Sequence, residues 1–254
     1  MKQNEYDVVH AHYSFSAFIA SLSGASPLVV SLMGSDVKKG RVFKALVRLA
    51  SRLFKWKDII VKSEDMKASL GIYKVKIIPN GVNFGRFKPM DEDQCREKLG
   101  WDSSVVNILF PSNPSRPEKN YQLLESSLAR FNERFEVHFF INVPNEETPL
   151  WYNAADVVVM TSLWEGSPNA IKEAMACNRI VVSTPVGDVP WLTADTEGVF
   201  ITEFEPGACA EALSKAIAFK KSKQGVASRE KIDSLGLSSV KIAKRLLEIY
   251  NGYC

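Results

Sequence analysis

The chain has 254 residues, with 32 Lys and Arg against 29 Asp and Glu and a net charge of +3. That length suits one large domain or two small ones, and 46% hydrophobic with 24% charged residues excludes disordered and collagen-like chains. Cys95, Cys177, Cys209 and Cys254 form no CxxC pair, and the three histidines complete no zinc ligand set, so the thiols read as reduced and the compartment as cytosolic. The opening MKQNEYD is polar and has no signal-peptide core. The longest apolar stretch, 13–33, is broken by serines, Gly24 and Pro27 and falls short of a membrane span.

Short β-branched runs alternate with helical patterns along the chain. Strands are predicted at 7–11, 28–32, 59–62, 75–78, 105–110, 137–141, 157–160, 180–183 and 199–201. Helices are predicted at 15–23, 42–54, 64–70, 121–131, 169–177, 209–220 and 239–250. Apolar strands alternating with helices imply parallel sheets covered on both faces. The fold class is therefore α/β, doubly wound, with ligands at the carboxyl ends of the strands. Turn formers in PNGVNFGRFKP and the acidic helical segment DEDQCREKLG place a boundary within 79–102. The domains are drawn at 1–88 and 89–236, with 237–254 a last helix that packs back across the cleft.

The charge is uneven: residues 1–90 carry +9 and residues 91–254 carry −6. Much of the excess lies between Lys38 and Lys57, in KKGRVFKALVRLASRLFKWK. Arg41, Lys44, Arg48, Arg52 and Lys55 recur at helical steps on one side, and Val42, Leu46, Leu49, Leu53 and Trp56 fill the other. Such a helix either lies on an anionic membrane or packs its apolar side on a sheet, and the two readings are compatible where only the basic stripe faces lipid. No aromatic platform or motif accompanies the charge, so nucleic acid is not an expected partner.

The most informative stretch is DVVVMTSLWEGSPNAIKEAMACNRIVVSTPVGDVPW, residues 156–191. A strand ends at Met160, a polar loop follows, and Pro168 is placed to open a helix behind Ser167 as its cap. The free amides of that helix start suit an anionic phosphate or a sugar oxygen. Glu165 precedes the helix and Glu173 lies in its second turn, where carboxylates accept hydrogen bonds from paired hydroxyls. The spacing alone is uninformative, since Glu125/Glu133, Glu197/Glu205 and Glu203/Glu211 share it. The strand–loop–helix context carries the reading. His10 and His12 close the first strand and are expected to face opposite ways, as core or surface groups. Pro185 to Trp191 forms either a flank of the anion site at that helix start or a plain turn.

EGSPNAIKEAMACNRIVVSTPVGD resembles the donor-site signature of retaining glycosyltransferases of the GT-B fold, family four. DVVHAHYSF, SLMGSDV, SRPEKNYQLL and IIPNGVNFGRFKP also resemble motifs of that family. The wording is similar to the branch that builds bacterial surface polysaccharides such as teichuronic acid. The resemblance implies two Rossmann-like domains and transfer of a sugar from a UDP- or GDP-sugar to a glycan or lipid-linked acceptor. It implies that Glu173 holds the ribose hydroxyls, while Glu165 with the amides of Gly166 and Ser167 contacts the sugar, beside Pro168 and Asn169. Lys119 and Arg116 would neutralise the diphosphate, so that neither metal nor cofactor is needed.

Against the family pattern, the chain starts at a middle strand of the first domain, which is expected to be truncated with its acceptor site incomplete. Met33 stands where many members have His, and SNPSR replaces the usual Gly-Arg before Arg116. The stretch 131–151 is short by one strand–helix unit, so the base is expected to meet Asn142, Val143 and Pro144. Two other functions compete: a non-catalytic nucleotide-sugar-binding module, and a sugar-nucleotide epimerase, for which no acid/base pair stands out.

Overall fold

The computed structural model describes residues 6–34, 36, 40–72, 74–222 and 225–253; Lys38, Lys39 and Cys254 lie outside them. The chain divides into two compact units, one of Met1–Gly81, Glu165–Ser167 and Val240–Cys254, the other of Val82–Trp164 and Pro168–Ser239.

In the first unit β1 (Val9–His12), β2 (Leu28–Ser31), β3 (Asp58–Val61) and β4 (Val75–Ile77) pair in that order, all parallel. The register Ala11↔Val30↔Ile59↔Val75 gathers the apolar side chains on one face. That face is covered by α1 (Ser14–Leu22), α2 (Arg41–Leu53) and α3 (Glu64–Leu70) through Ala17, Val47, Ala50, Met66 and Leu70. Helix α3 is well specified: Ser63 Oγ accepts from the Met66 amide, two acids fill its first turn, and Gly71 ends it at φ +61°.

Helix α2 packs through neither stripe expected from the sequence: Val47, Ala50 and, past its end, Trp56 are buried, while Val42, Leu46, Leu49, Leu53 and also Arg41, Arg52 and Lys55 are exposed. Arg48 Nε donates to the Leu70 carbonyl at 2.6 Å and Lys44 Nζ to Ser69 Oγ at 2.9 Å. The last carbonyls of a helix need donors, and Arg48 supplies one to α3. The apolar residues Val42, Leu46, Leu49 and Leu53 consequently face outward.

The second face of this sheet is polar. The register His10↔Val29↔Asp58 and His12↔Ser31 places both histidines on it, with ring centroids 4.2 Å apart. They do not face opposite ways, because residues two apart on a strand share a face. Helix α11 (Ser239–Asn251) joins this unit: Tyr250 Oη bonds His10 Nδ1, and Arg245 donates to the Ile77 carbonyl at 2.9 Å.

In the second unit, β5 (Val106–Phe110), β6 (Phe135–Phe139), β7 (Val157–Met160), β8 (Val181–Ser183) and β9 (Val199–Ile201) form a parallel sheet in the order β6-β5-β7-β8-β9. Helices α5 (Tyr121–Leu128) and α9 (Pro206–Lys221) cover one face through Leu123, Leu124, Leu213 and Ile217 against Ile108, Val157 and Val182. This unit also contains α4 (Glu92–Leu99), α6 (Thr148–Ala154), α7 (Asn169–Ala176), α8 (Val189–Thr193) and α10 (Ser228–Ser234). Three of these helices, α6, α8 and α10, are too short for a hydrophobic period, and the sequence pattern misses them. The stretch 131–151 supplies β6 and the start of α6. At the foot of the sheet Arg96 is buried, with Glu92 and Asp156 carboxylates at 2.9 and 2.8 Å. The described cysteines, Cys95, Cys177 and Cys209, are free and buried.

Candidate functional site

The chain leaves β5 for β6 on one side and returns to β7 on the other. Neighbouring strands whose connections diverge in this way open a crevice at their carboxyl ends. Two loops meet there, 111–120 after β5 and 161–168 after β7.

The first loop closes in a 3₁₀ turn, Pro117–Lys119, ended by Asn120 at φ +52°. It is fastened to the second. Leu163 donates its amide to the Glu118 carbonyl at 2.9 Å, and Thr161 Oγ1 donates to the carbonyls of Lys119 and Asn120 at 3.1 and 2.8 Å. Thr161 is fully buried, so these bonds fix the backbone from which the Lys119 side chain springs. Thr184, just past β8, ties in the same loop through its hydroxyl to the Ser162 carbonyl at 2.8 Å. The Lys119 turn and the approach to α7 are thus one braced structure.

Arg116 is exposed and bonds Glu118 Oε1 through Nε at 2.8 Å and a terminal nitrogen at 2.5 Å. Its charge is paired within its own loop. A surface pair of this kind is worth about 1 kcal/mol or less, so an incoming phosphate can displace it.

Pro168, not Ser167, is the N-cap of α7, with φ −68° and ψ 121°, and the proline itself makes no side-chain cap hydrogen bond. Proline fixed at that φ sets the extended entry, and the start of α7 carries the positive end of the helix dipole. Asn169, the first residue of the helix, is exposed.

Glu173 lies in the second turn of α7 and accepts a hydrogen bond from Tyr152 Oη on Oε2 at 2.9 Å. Burial pushes its carboxyl above the usual carboxylate range; the Tyr152 hydrogen bond and the charges of Arg86 and Lys172 pull the other way. Tyr152, on α6, is fully buried, and its phenol is pushed well above the ordinary value by burial and by Glu173. Arg86 reaches α6 as well, donating to Thr148 Oγ1 at 3.4 Å. A half-buried carboxylate held by one tyrosine and faced by one arginine is a preorganised acceptor for hydroxyls. The sequence motif points to Glu173 but not to Tyr152 or Arg86, whose own neighbours, including GVNFGRFKP, carry no signal for it.

Glu165, Gly166 and Ser167 group with the first unit. Gly166 packs on Gly34: a Cβ on Gly34 would sit 2.8 Å from the Gly166 amide nitrogen, and one on Gly166 3.0 Å from Met66 Sδ. In the same unit Asp36 of SLMGSDV is buried, accepting from the Met33 amide at 2.6 Å and the Ser14 hydroxyl at 2.6 Å. Asn142 is exposed at φ +55° beside half-buried Val143, in the loop after β6. Among the described residues no helix is long and apolar enough to cross a membrane, and no three His, Cys, Asp or Glu cluster as a metal site.

Residues 108–218 match the family model for glycosyl transferases group 1, and residues 1–63 match that for glycosyl transferase 4-like proteins. The chain is 26% identical over 245 residues to TuaC of Bacillus subtilis (strain 168), a glycosyltransferase named for teichuronic acid biosynthesis, covering 85% of this chain and 63% of that protein. It is 24% identical over 268 residues to D-inositol 3-phosphate glycosyltransferase 1 of Catenulispora acidiphila, covering 84% of this chain and 64% of the relative. It therefore spans just under two thirds of the length of these relatives. Among solved structures, Anabaena HepE in complex with UDP-glucose superposes with a TM-score of 0.83 at 19% identity, covering 97% of this chain and 79% of that one. Sucrose-phosphate synthase from Thermosynechococcus elongatus gives a TM-score of 0.82 at 18% identity, covering 97% and 73%. Two parallel sheets and these neighbours make the fold GT-B.

Proposed function

We propose that this chain, a glycosyltransferase of the GT-B type by its fold and by the family models it matches, transfers a sugar from a UDP-sugar to a glycan or lipid-linked acceptor with retention of configuration. The work it serves is surface polysaccharide assembly at the inner face of the membrane. The observation that carries the donor reading is Glu173, held by Tyr152 in the second turn of α7, a helix that opens on Pro168.

In this reading Glu173 accepts hydrogen bonds from the ribose hydroxyls, and the first amides of α7 take a phosphate oxygen. Lys119 acts on the diphosphate as a point charge and Arg116, released from Glu118, as a planar fork. As the sugar–oxygen bond breaks, negative charge accumulates on the leaving diphosphate. Removing one well-placed donor from such a site costs about 10²–10³ in rate. Glu165 and the amides of Gly166 and Ser167 hold the sugar, while Asn142 and Val143 meet the base. Side-chain cations neutralise the diphosphate without a metal. TuaC and the HepE complex with UDP-glucose support the donor and acceptor classes.

The test is UDP release from UDP-glucose and UDP-N-acetylglucosamine in the presence of a membrane-derived glycan acceptor, with the anomeric proton of the product read by NMR. Release with retained configuration, lost in Lys119→Ala, is expected. Inverted product removes the retaining assignment. UDP binding without release from any donor makes the chain a binding module.

A further inference from the structure

Helices α1 and α2 lie side by side in the first unit. The Phe15 and Phe43 ring centroids are 5.7 Å apart near their starts, and Trp56 Nε1 donates to Ser21 Oγ at 2.9 Å near their ends. Their outer side is apolar. On α1, Phe15, Ile19 and Leu22 are exposed, Ile19 and Leu22 by 67% and 78%; on α2, Val42, Leu46, Leu49 and Leu53 are exposed by 50–76%. With Phe54, these are eight of the seventeen large hydrophobic side chains exposed among the described residues, concentrated on two neighbouring helices. A patch of that kind marks an interaction surface.

Its charge says what it meets. From position 8 to position 57 the chain has eight Lys or Arg and one acid, Asp36, which is buried. Lys44 and Arg48 are spent on α3, but Arg41, Arg52, Lys55 and Lys57 are exposed around the apolar stripe. A second copy would bring like charge against like. A flat apolar stripe rimmed by free cations fits the boundary between acyl chains and anionic headgroups.

We infer that the outer side of α1 and α2 is a membrane-docking face, with Ile19, Leu22, Val42, Leu46, Leu49 and Leu53 entering the headgroup–acyl boundary and Arg41, Arg52 and Lys55 pairing with anionic lipid. This deepens, and rests on, the membrane location proposed above: the apolar stripe enters, Arg41, Arg52 and Lys55 meet the headgroups, and Lys44 and Arg48 are structural. At 13 residues α2 lies in the plane of the surface and does not cross it.

Vesicle co-sedimentation tests the inference, using phosphatidylcholine alone and an equal mixture with phosphatidylglycerol. The chain is expected to bind the mixed vesicles and not the neutral ones. Leu46→Ser/Leu49→Ser/Leu53→Ser should lower that binding by about tenfold or more at every salt concentration. Arg41→Gln/Arg52→Gln/Lys55→Gln should lose affinity chiefly at low salt. These positions are exposed, so the fold is retained, which circular dichroism checks. UDP titration of the same variants should match the parent, so a failed donor reading and a failed docking face give different patterns. Unchanged vesicle binding by the serine variant overturns the inference. So does equal binding to neutral vesicles, or a concentration-dependent dimer abolished by the serine substitutions.

Discussion

The Tyr152 hydroxyl donates to Glu173 Oε2 at 2.9 Å from a position with no solvent exposure. Glu173 therefore has a fixed orientation before any ligand arrives, which lowers the entropic cost of binding. In Tyr152→Phe the carboxylate keeps its charge and loses its tether. We predict a 3- to 10-fold weaker UDP affinity and about 1 kcal/mol less stability, read by calorimetry and chemical denaturation. Unchanged affinity would assign Tyr152 to packing alone.

In the proposed donor site the ionised form of Glu173 accepts from the ribose hydroxyls, and burial raises the pH at which that form is lost. UDP affinity should therefore fall on acidification at a higher pH than an ordinary carboxylate would dictate, and in Glu173→Gln this acid limb should be absent. Calorimetric titrations across the acid range measure it. An identical pH profile in the glutamine variant would place the titration elsewhere.

Lys62, just past β3, is buried, and among the described residues no acid pairs with it; burial pushes its ammonium down to about 8. The unfolded chain then binds more protons than the native one between pH 8 and the ordinary lysine value, so stability should rise with pH across that window. Lys62→Met should stabilise the chain at pH 7 by about 3 kcal/mol and flatten the rise. Denaturation midpoints at neutral and alkaline pH decide this, and a destabilised methionine variant contradicts it.

His10 on β1 and His138 on β6 are each lowered to about 4 by burial, His10 also by His12 and Lys62 and His138 also by Arg96. Both are neutral in the native state where the unfolded chain begins to protonate, so stability should be lost as pH falls from the ordinary histidine value towards 4. His138→Gln should shrink that loss in an acid denaturation series.

Gly34 and Gly166 leave no room for a side chain between them. Gly34→Ala drives a methyl into backbone and should cost about 1–3 kcal/mol. Gly166→Ala meets Met66 Sδ at 3.0 Å and the Gly34 backbone at 3.1 and 3.2 Å, a milder overlap than the 2.8 Å at Gly34, and should cost less. Thermal melts of the two variants give the ranking, and equal costs would contradict it.

The parallel sheets were legible because their strands are continuous apolar runs, such as VVVM at Val157–Met160 and VFI at Val199–Ile201. The strand, loop and helix that carry the proposed donor site were legible because Glu165, Ser167, Pro168 and Glu173 lie in one short stretch. What stayed hidden depends on partners distant in the chain. Helical period separated the two stripes of α2, but only Ser69 and the Leu70 carbonyl decided that Lys44 and Arg48 turn inward while Arg41, Arg52 and Lys55 stay exposed. Tyr152 and Arg86 reach Glu173 from other elements, and nothing in their neighbours announces it. The cap moved from Ser167 to Pro168 because the extended entry is met by the proline itself.

Calorimetric titration of the chain with UDP, beside Glu173→Ala and Lys119→Ala, tests the account most directly. Binding by the parent, weakened by about tenfold or more in each variant, is the predicted result. A parent that binds no UDP, or variants that bind it as the parent does, would contradict the donor site at α7.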